Sequence, residues 1–270
     1  MQVAGIFVYP IKSLRGSAVE ETTVCGYGLE HDRQWMLVDA ESKMITQREC
    51  PRVAMLQPHF ASNSMMIPLP DNLLIMVPLS SEAWTDRQVT VDVWGHVYVG
   101  MIASDSINRA FSRAIGAECR LAWIRSDVFR TRHEVAFHDD SPLLVISQAS
   151  LDDLNRRLAA PLPMNRFRPN LVIAGSKPFE EDLWQRVAVG NVVLRAVKPC
   201  ERCVIPTVNQ DTGVFQGPEP LKTLATFRRK GENVAFGQYF RAESKGTKFH
   251  RGDEVRVLEL RPEAAAFVSS

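Results

Sequence analysis

The chain has 270 residues, 45% of them hydrophobic, which is enough to bury a full core in one large or two smaller domains. Its 32 Lys and Arg against 31 Asp and Glu leave a net charge of +1, so no global basic field exists for nucleic acid, although a local basic pocket stays open. Five cysteines, an odd number without framework spacing, exclude a secreted disulfide scaffold and make the cytoplasm the expected compartment.

From its first residue, Met1-Gln2-Val3-Ala4-Gly5-Ile6-Phe7-Val8-Tyr9-Pro10 lacks the charged start and apolar centre of a signal peptide. No run approaches the ~20 apolar residues of a membrane helix, so no membrane attachment is expected. Strands are predicted over 3–9, 33–39, 88–93, 143–146, 170–174, 191–197 and 254–260, each short, rich in β-branched or aromatic residues and bounded by Gly, Pro, Asp or Ser. A helix over 105–115 puts Ile107, Ala110, Phe111, Ala114 and Ile115 on one face and stops at Gly116. A second over 151–158 follows Ser150, with Asp153 as capping partner, and a third over 221–227 follows Pro220.

Strands outnumber helices, and many connections are too short for helical crossovers. The fold class is therefore α+β, mostly β: an antiparallel, barrel-like sheet with few peripheral helices. The expected division lies near residue 120, giving units over 1–120 and 121–265 that share a cleft because no Gly/Ser linker separates them. Without heptads or a long apolar edge, a monomer is expected.

Cys200-Glu201-Arg202-Cys203 joins two thiols to a guanidinium in a non-helical stretch, and a fixed positive charge favours the thiolate. A structural zinc site wants four N or S ligands, yet Cys25, Cys50 and Cys119 are scattered and no His pair lies at ligand spacing. A redox Cys-x-x-Cys opens a helix, whereas Val204-Ile205-Pro206-Thr207-Val208 reads as a second extended run. A nucleophile, a buried pair of small hydrophobes and a single thiolate on a soft metal remain. Elsewhere Lys12, Ser13, Arg33, Arg168 and Asn170 sit at strand ends or beside a proline and together suit a large anion. Each has a plainer reading: Lys12 as a solvated loop lysine, Arg33 paired with Asp32 or Glu30, Arg168 paired with Glu180-Glu181-Asp182. The isolated histidines, His31, His96 and His138 among them, read as turn or surface residues. The five tryptophans read as packing, and Arg228-Arg229-Lys230 as a solvated helix end.

Tyr9-Pro10-Ile11-Lys12-Ser13, Asp32-Arg33-Gln34-Trp35, Asp140-Ser141-Pro142, Phe167-Arg168-Pro169-Asn170, Cys200-Glu201-Arg202-Cys203 with Thr207 to Gly213, and Phe236-Gly237-Gln238-Tyr239 succeed one another along the whole chain. In that order they resemble MOSC-domain proteins that carry an N-terminal MOSC β-barrel domain, nearest the amidoxime-reducing branch. The resemblance implies an N-terminal domain over 1–120 and a MOSC domain over 121–265. It implies a molybdenum cofactor, Mo-molybdopterin, with Cys203 as thiolate ligand to the metal. Cofactor contacts fall on Lys12, Ser13, Arg33, Ser141, Arg168, Asn170 and Arg202, with Cys200 a buried neighbour. Asp140 joins Ser141 at the cleft mouth as a catalytic proton relay, a simple turn being the alternative.

The reaction implied is removal of oxygen from N-hydroxylated small molecules such as amidoximes, hydroxylamines and N-hydroxylated bases, a detoxification. Electrons come from a separate protein of flavoprotein, ferredoxin or cytochrome b5 type, since no cysteine lies beyond Cys203 to build a fused iron–sulfur domain. The mitochondrial relatives' N-terminal targeting segment has no counterpart here, which implies a cytoplasmic, bacterial setting. Glu201 stands where relatives often carry a small hydroxyl residue, and its carboxylate repels an anionic cofactor unless it turns away or pairs with Arg202 or Lys198. A cofactor carrier or sulfur-transfer protein using Cys203 without turnover is the alternative.

Overall fold

The computed structural model describes residues 1–69, 72–80, 84–124, 136–139 and 141–261. Its main sheet runs, in spatial order, Ser17–Val19, Gln2–Val8, Leu171–Ala174, Leu143–Ser147, Asn233–Ala242, Val192–Glu201, Trp184–Val189 and Val255–Leu260. Within that order every pairing is antiparallel except Leu143–Ser147 with Leu171–Ala174. A parallel pair needs a crossover, and the helix Gln148–Arg157 supplies it. The start of the first strand then meets the last one: Gln2 bridges Glu254, Val255 N donates to Met1 O at 2.9 Å and Val3 N to Asp253 O at 2.9 Å. Closure into a barrel removes the free edges, and Ile6, Val145, Leu171, Trp184, Leu194 and Phe240 fill the interior.

The expected mostly β, α+β architecture is the one found. Its sheets cross the expected division, however, because Gln2–Val8 pairs with Leu171–Ala174 and Glu21–Cys25 pairs with Lys248–His250. A four-stranded sheet of Trp35–Val38, Arg120–Trp123, His96–Ile102 and Gln88–Val93 stands beside the barrel. A three-stranded sheet of His59–Ala61, Ser64–Pro68 and Leu74–Pro78 shares a second core with Trp35, Leu37, Leu121 and the helix Asp105–Ile115, which buries Phe111 and Ile115. That helix has the predicted bounds and ends on Gly116 in left-handed conformation at φ 72°.

Three local expectations change. The second helix starts three residues early because Ser147, not Ser150, caps it: Ser147 Oγ accepts from Ser150 N at 3.0 Å. Asp153 instead pairs with Arg156 and Arg157. In place of the extended run expected over 204–208, Ile205–Thr207 is a 3-10 turn in which Thr207 N and Oγ1 both donate to Val204 O, at 2.9 and 2.8 Å. Among the described residues no helix is long and apolar enough to cross a membrane.

Candidate functional site

The first strand ends at Tyr9-Pro10, and Asp32 ties down the turn beyond it. This fully buried carboxylate accepts from Tyr9 N at 2.7 Å and Asn170 Nδ2 at 3.2 Å, and pairs with Arg33. Three non-glycine residues here take left-handed backbone: Ser13 at φ 68°, Arg33 at φ 51° and Arg168 at φ 56°. Such conformations cost free energy and gather where surrounding structure enforces them for a purpose. Tyr9 contributes to that enforcement. Its hydroxyl donates to Pro169 O at 3.0 Å, and the Arg33 and Arg168 guanidiniums lie 4.4 and 4.3 Å from its ring centre.

Lys12, 3% exposed, donates Nζ to Phe137 O at 2.9 Å and Asp139 Oδ1 at 2.6 Å, which among the described residues uses two of its three N–H bonds. Arg168 Nη1 donates to Leu14 O at 2.6 Å, so the pairing with Glu180-Glu181-Asp182 does not form there. Arg33 does pair with Asp32. Asn170 spends its amide inside the protein: Nδ2 donates to Phe7 O at 3.1 Å and to Asp32, and Oδ1 accepts from Leu144 N at 3.1 Å. It braces the cleft wall.

Cys200 is the last residue but one of the strand Val192–Glu201, with 2% exposure, and Cys203 lies just beyond it, half-buried on the cleft wall. The thiols are unequal. Arg202 Nη1 donates to Cys200 Sγ at 2.9 Å and Nη2 to Phe167 O at 2.9 Å, so Cys200 and Phe167 fix the guanidinium plane. Tyr239 also hydrogen-bonds Cys200. Among the described residues no three His, Cys, Asp or Glu gather as metal ligands, so the zinc reading lacks a cage.

These residues surround one open cleft, about 770 Å³ of empty space when the open solvent at its mouth is included. Among the described residues Lys12, Arg33, Arg48, Arg168 and Arg202 line it together with two carboxylates, Asp139 and the exposed Glu201. Burial pushes Lys12 down despite Asp139, and pushes Arg168 down to about 10. For Arg33 burial is outweighed by Asp32 and Tyr9, and for Arg202 by Cys200 and Tyr239, so both are held above the ordinary arginine value. His138, expected at a turn or the surface, is 5% exposed, and burial lowers it to about 4, leaving it neutral at pH 7. Among the described residues the cleft therefore carries an excess of positive charge, which suits an anionic ligand.

Two buried polar atoms on its wall, Arg202 Nε and Ser141 Oγ, have no hydrogen-bond partner among the described residues. Buried polar groups are rarely left so, and a ligand rich in anionic oxygens would satisfy both. The donor set thus fits a phosphate-bearing pterin, with Cys203 as the soft ligand beside it. The cleft brings together Lys12, Ser13, Arg33, Ser141, Arg168, Asn170, Arg202 and Cys203, while Asp140 lies outside the described residues. Sequence reasoning missed Arg48, Asp139 and Tyr239 as lining residues. Tyr239 stood inside a recognised segment, whereas Arg48 carried no local signal.

Residues 1–118 match the MOSC N-terminal beta barrel domain and residues 132–256 the MOSC domain. Mitochondrial amidoxime-reducing component 1 of Mus musculus is 34% identical over 280 residues, covering 95% of this chain and 82% of its own length. The Homo sapiens protein of the same name is 31% identical with the same two coverages. Molybdenum cofactor sulfurase of Oryza sativa subsp. japonica is 31% identical over 263 residues, covering 88% of this chain and 32% of its own. The chain therefore belongs to the MOSC family, in the form that joins a MOSC N-terminal beta barrel domain to a MOSC domain.

Proposed function

We propose that the protein is a molybdenum-cofactor-dependent reductase of N-hydroxylated small molecules. The observation that carries this reading is the cleft itself: among the described residues, a half-buried Cys203 thiol beside five cations and two unpartnered buried polar groups. The names of the amidoxime-reducing relatives supply the reaction class. An amidoxime gains two electrons and two protons, its N–O bond breaks, and an amidine and water leave. When bound, the cofactor supplies the metal that takes part in this two-electron exchange.

The chain's own residues do the rest. Cys203 holds the metal as a thiolate, while Lys12, Arg33, Arg168 and Arg202 bind and orient the anionic cofactor. Leu144, Phe167 and Ile205 keep water from that wall of the cleft. Lys12 Nζ and Asp139 Oδ1, 2.6 Å apart, form a pair across which a proton is held at the mouth. Asp140, proposed as a relay, adjoins that pair in sequence. Electrons come from a separate donor protein, and the cytoplasm remains the proposed compartment.

The test is metal analysis of protein made in a host that synthesises the cofactor, then anaerobic assay with benzamidoxime and reduced viologen. Cys203→Ala is expected to lose both molybdenum and activity, and Cys200→Ala to keep much of both. Equal activity in wild type and Cys203→Ala refutes the assignment. The likeness to a molybdenum cofactor sulfurase favours one second reading, a carrier or sulfur-transfer protein, which binds molybdopterin but does not turn over N-hydroxylated compounds.

A further inference from the structure

Among the five tryptophans, Trp35, Trp84, Trp123 and Trp184 are buried in cores, but Trp94 is 49% exposed. It stands at the tip of the hairpin joining Gln88–Val93 to His96–Ile102, where Val93 pairs with His96 and the loop is only Trp94-Gly95. Trp94 has φ 56° and Gly95 φ 84°, the signature of a type I′ turn, whose first position favours Asn, Asp or Gly. A bulky aromatic in left-handed backbone is an outlier. The turn therefore carries a side chain that its own geometry disfavours, and neither core packing nor turn chemistry accounts for it.

The indole's surroundings point to a ligand. Trp94 Nε1 donates to Asp139 Oδ1 at 2.9 Å, and the Arg48 guanidinium lies 4.9 Å from the ring centre. Both Asp139 and Arg48 line the cleft that holds Cys203. Among the described residues the hydrogen bonds to Asp139, from Lys12 and Trp94, both fall on Oδ1, which leaves Oδ2 of a half-exposed carboxylate to accept from something else. A flat π surface with an adjacent acceptor suits a planar conjugated group bearing N–H donors.

We propose that Trp94 is a specificity-determining residue, stacking the aryl or heteroaryl plane of an N-hydroxylated substrate whose amino group donates to Asp139 Oδ2. This rests on the reductase reading and names the part of the substrate that the rim selects. Wild type then prefers aromatic amidoximes to saturated ones of equal size.

The experiment compares benzamidoxime with cyclohexanecarboxamidoxime. Without an electron donor, benzamidoxime should quench the exposed tryptophan emission saturably in wild type and the saturated analogue should not. Trp94→Asn, which suits the turn better, should hold its Tm at or above the wild-type value, yet bind benzamidoxime about tenfold more weakly by calorimetry. The aryl-over-saturated ratio in kcat/KM should collapse by the same factor. Trp94→Phe, which keeps a ring and loses only the indole N–H, should retain most of the preference, and it carries the test if Trp94→Asn lowers Tm. Unchanged benzamidoxime binding and an unchanged ratio in Trp94→Asn overturn the proposal while leaving the reductase reading intact. Failure to reduce either amidoxime with bound molybdenum present overturns that reading, while calorimetry still decides the stacking.

Discussion

His138 sets a pH dependence that arises directly from its burial. The ring is 5% exposed, with Nε2 2.9 Å from Tyr27 O and Nδ1 3.8 Å from Asp32 Oδ2. A carbonyl only accepts, so Nε2 carries the hydrogen of the neutral ring. Burial lowers the imidazole from 6.5 to about 4, Asp32 opposing and Arg33 and Lys12 reinforcing the shift. Between those two pH values the unfolded chain binds a proton that the folded chain refuses, so stability falls as pH drops through this window. The loss is absent above pH 6.5 and complete below about pH 4, where it reaches about 3 kcal/mol. His138→Gln keeps a donor for Tyr27 O and removes the titration. Urea unfolding at about pH 7.5 and about pH 4.5 should show wild type losing about 2–3 kcal/mol more than the variant over that interval. Glu181 and Asp182, raised mainly by burial, act with the opposite sign, but they are common to both proteins and cancel in the difference. Parallel stability curves for the two proteins refute the reasoning.

Three further outcomes concern buried groups. Arg228 and Asp182, 1% and 3% exposed, form an ion pair 2.5 Å apart, so Arg228→Leu strands a buried carboxylate and should cost about 3–5 kcal/mol by urea unfolding. Gly237 has φ 85°, and an added Cβ lands 2.6 Å from Ile146 Cγ1 and 3.1 Å from Val145 O. Gly237→Ala should therefore lower stability by about 1–3 kcal/mol, read as a Tm shift. Arg202→Lys cannot bridge Cys200 Sγ and Phe167 O while offering a third planar donor, and bound molybdenum measured per chain should fall several-fold with the fold unchanged by circular dichroism.

How much of the fold and the cleft is legible in the sequence depends on how local each determinant is. The helix Asp105–Ile115 and the strand Gln88–Val93 can be read with their bounds, because amphipathic spacing, alternation and a terminal glycine are all contained within the element. Trp184–Val189 and His96–Ile102 escape notice. The first begins directly after an acidic turn, and the second shows exposed Val97 and Val99 where alternation predicts polar residues. The strand leading into the cysteines extends past its predicted end at residue 197: it runs through Pro199-Cys200 to Glu201, tolerated by register shifts against Asn233–Ala242. The site shows the same limit. Cys203, Lys12, Arg33, Arg168 and Arg202 are found because thiols and cations at turns announce themselves by type. The hub at Asp32 and the saturated amide of Asn170 depend on contacts between distant parts of the chain, such as Asn170 with Asp32 at a separation of 138 residues. Docking of the first strand is what makes those contacts: Gln2–Val8 must lie against Leu171–Ala174 before Tyr9, Asp32 and Arg168 can meet. The anion cradle is thus a consequence of where the first strand docks, which explains why its residues come from both ends of the chain and why no single segment encodes it.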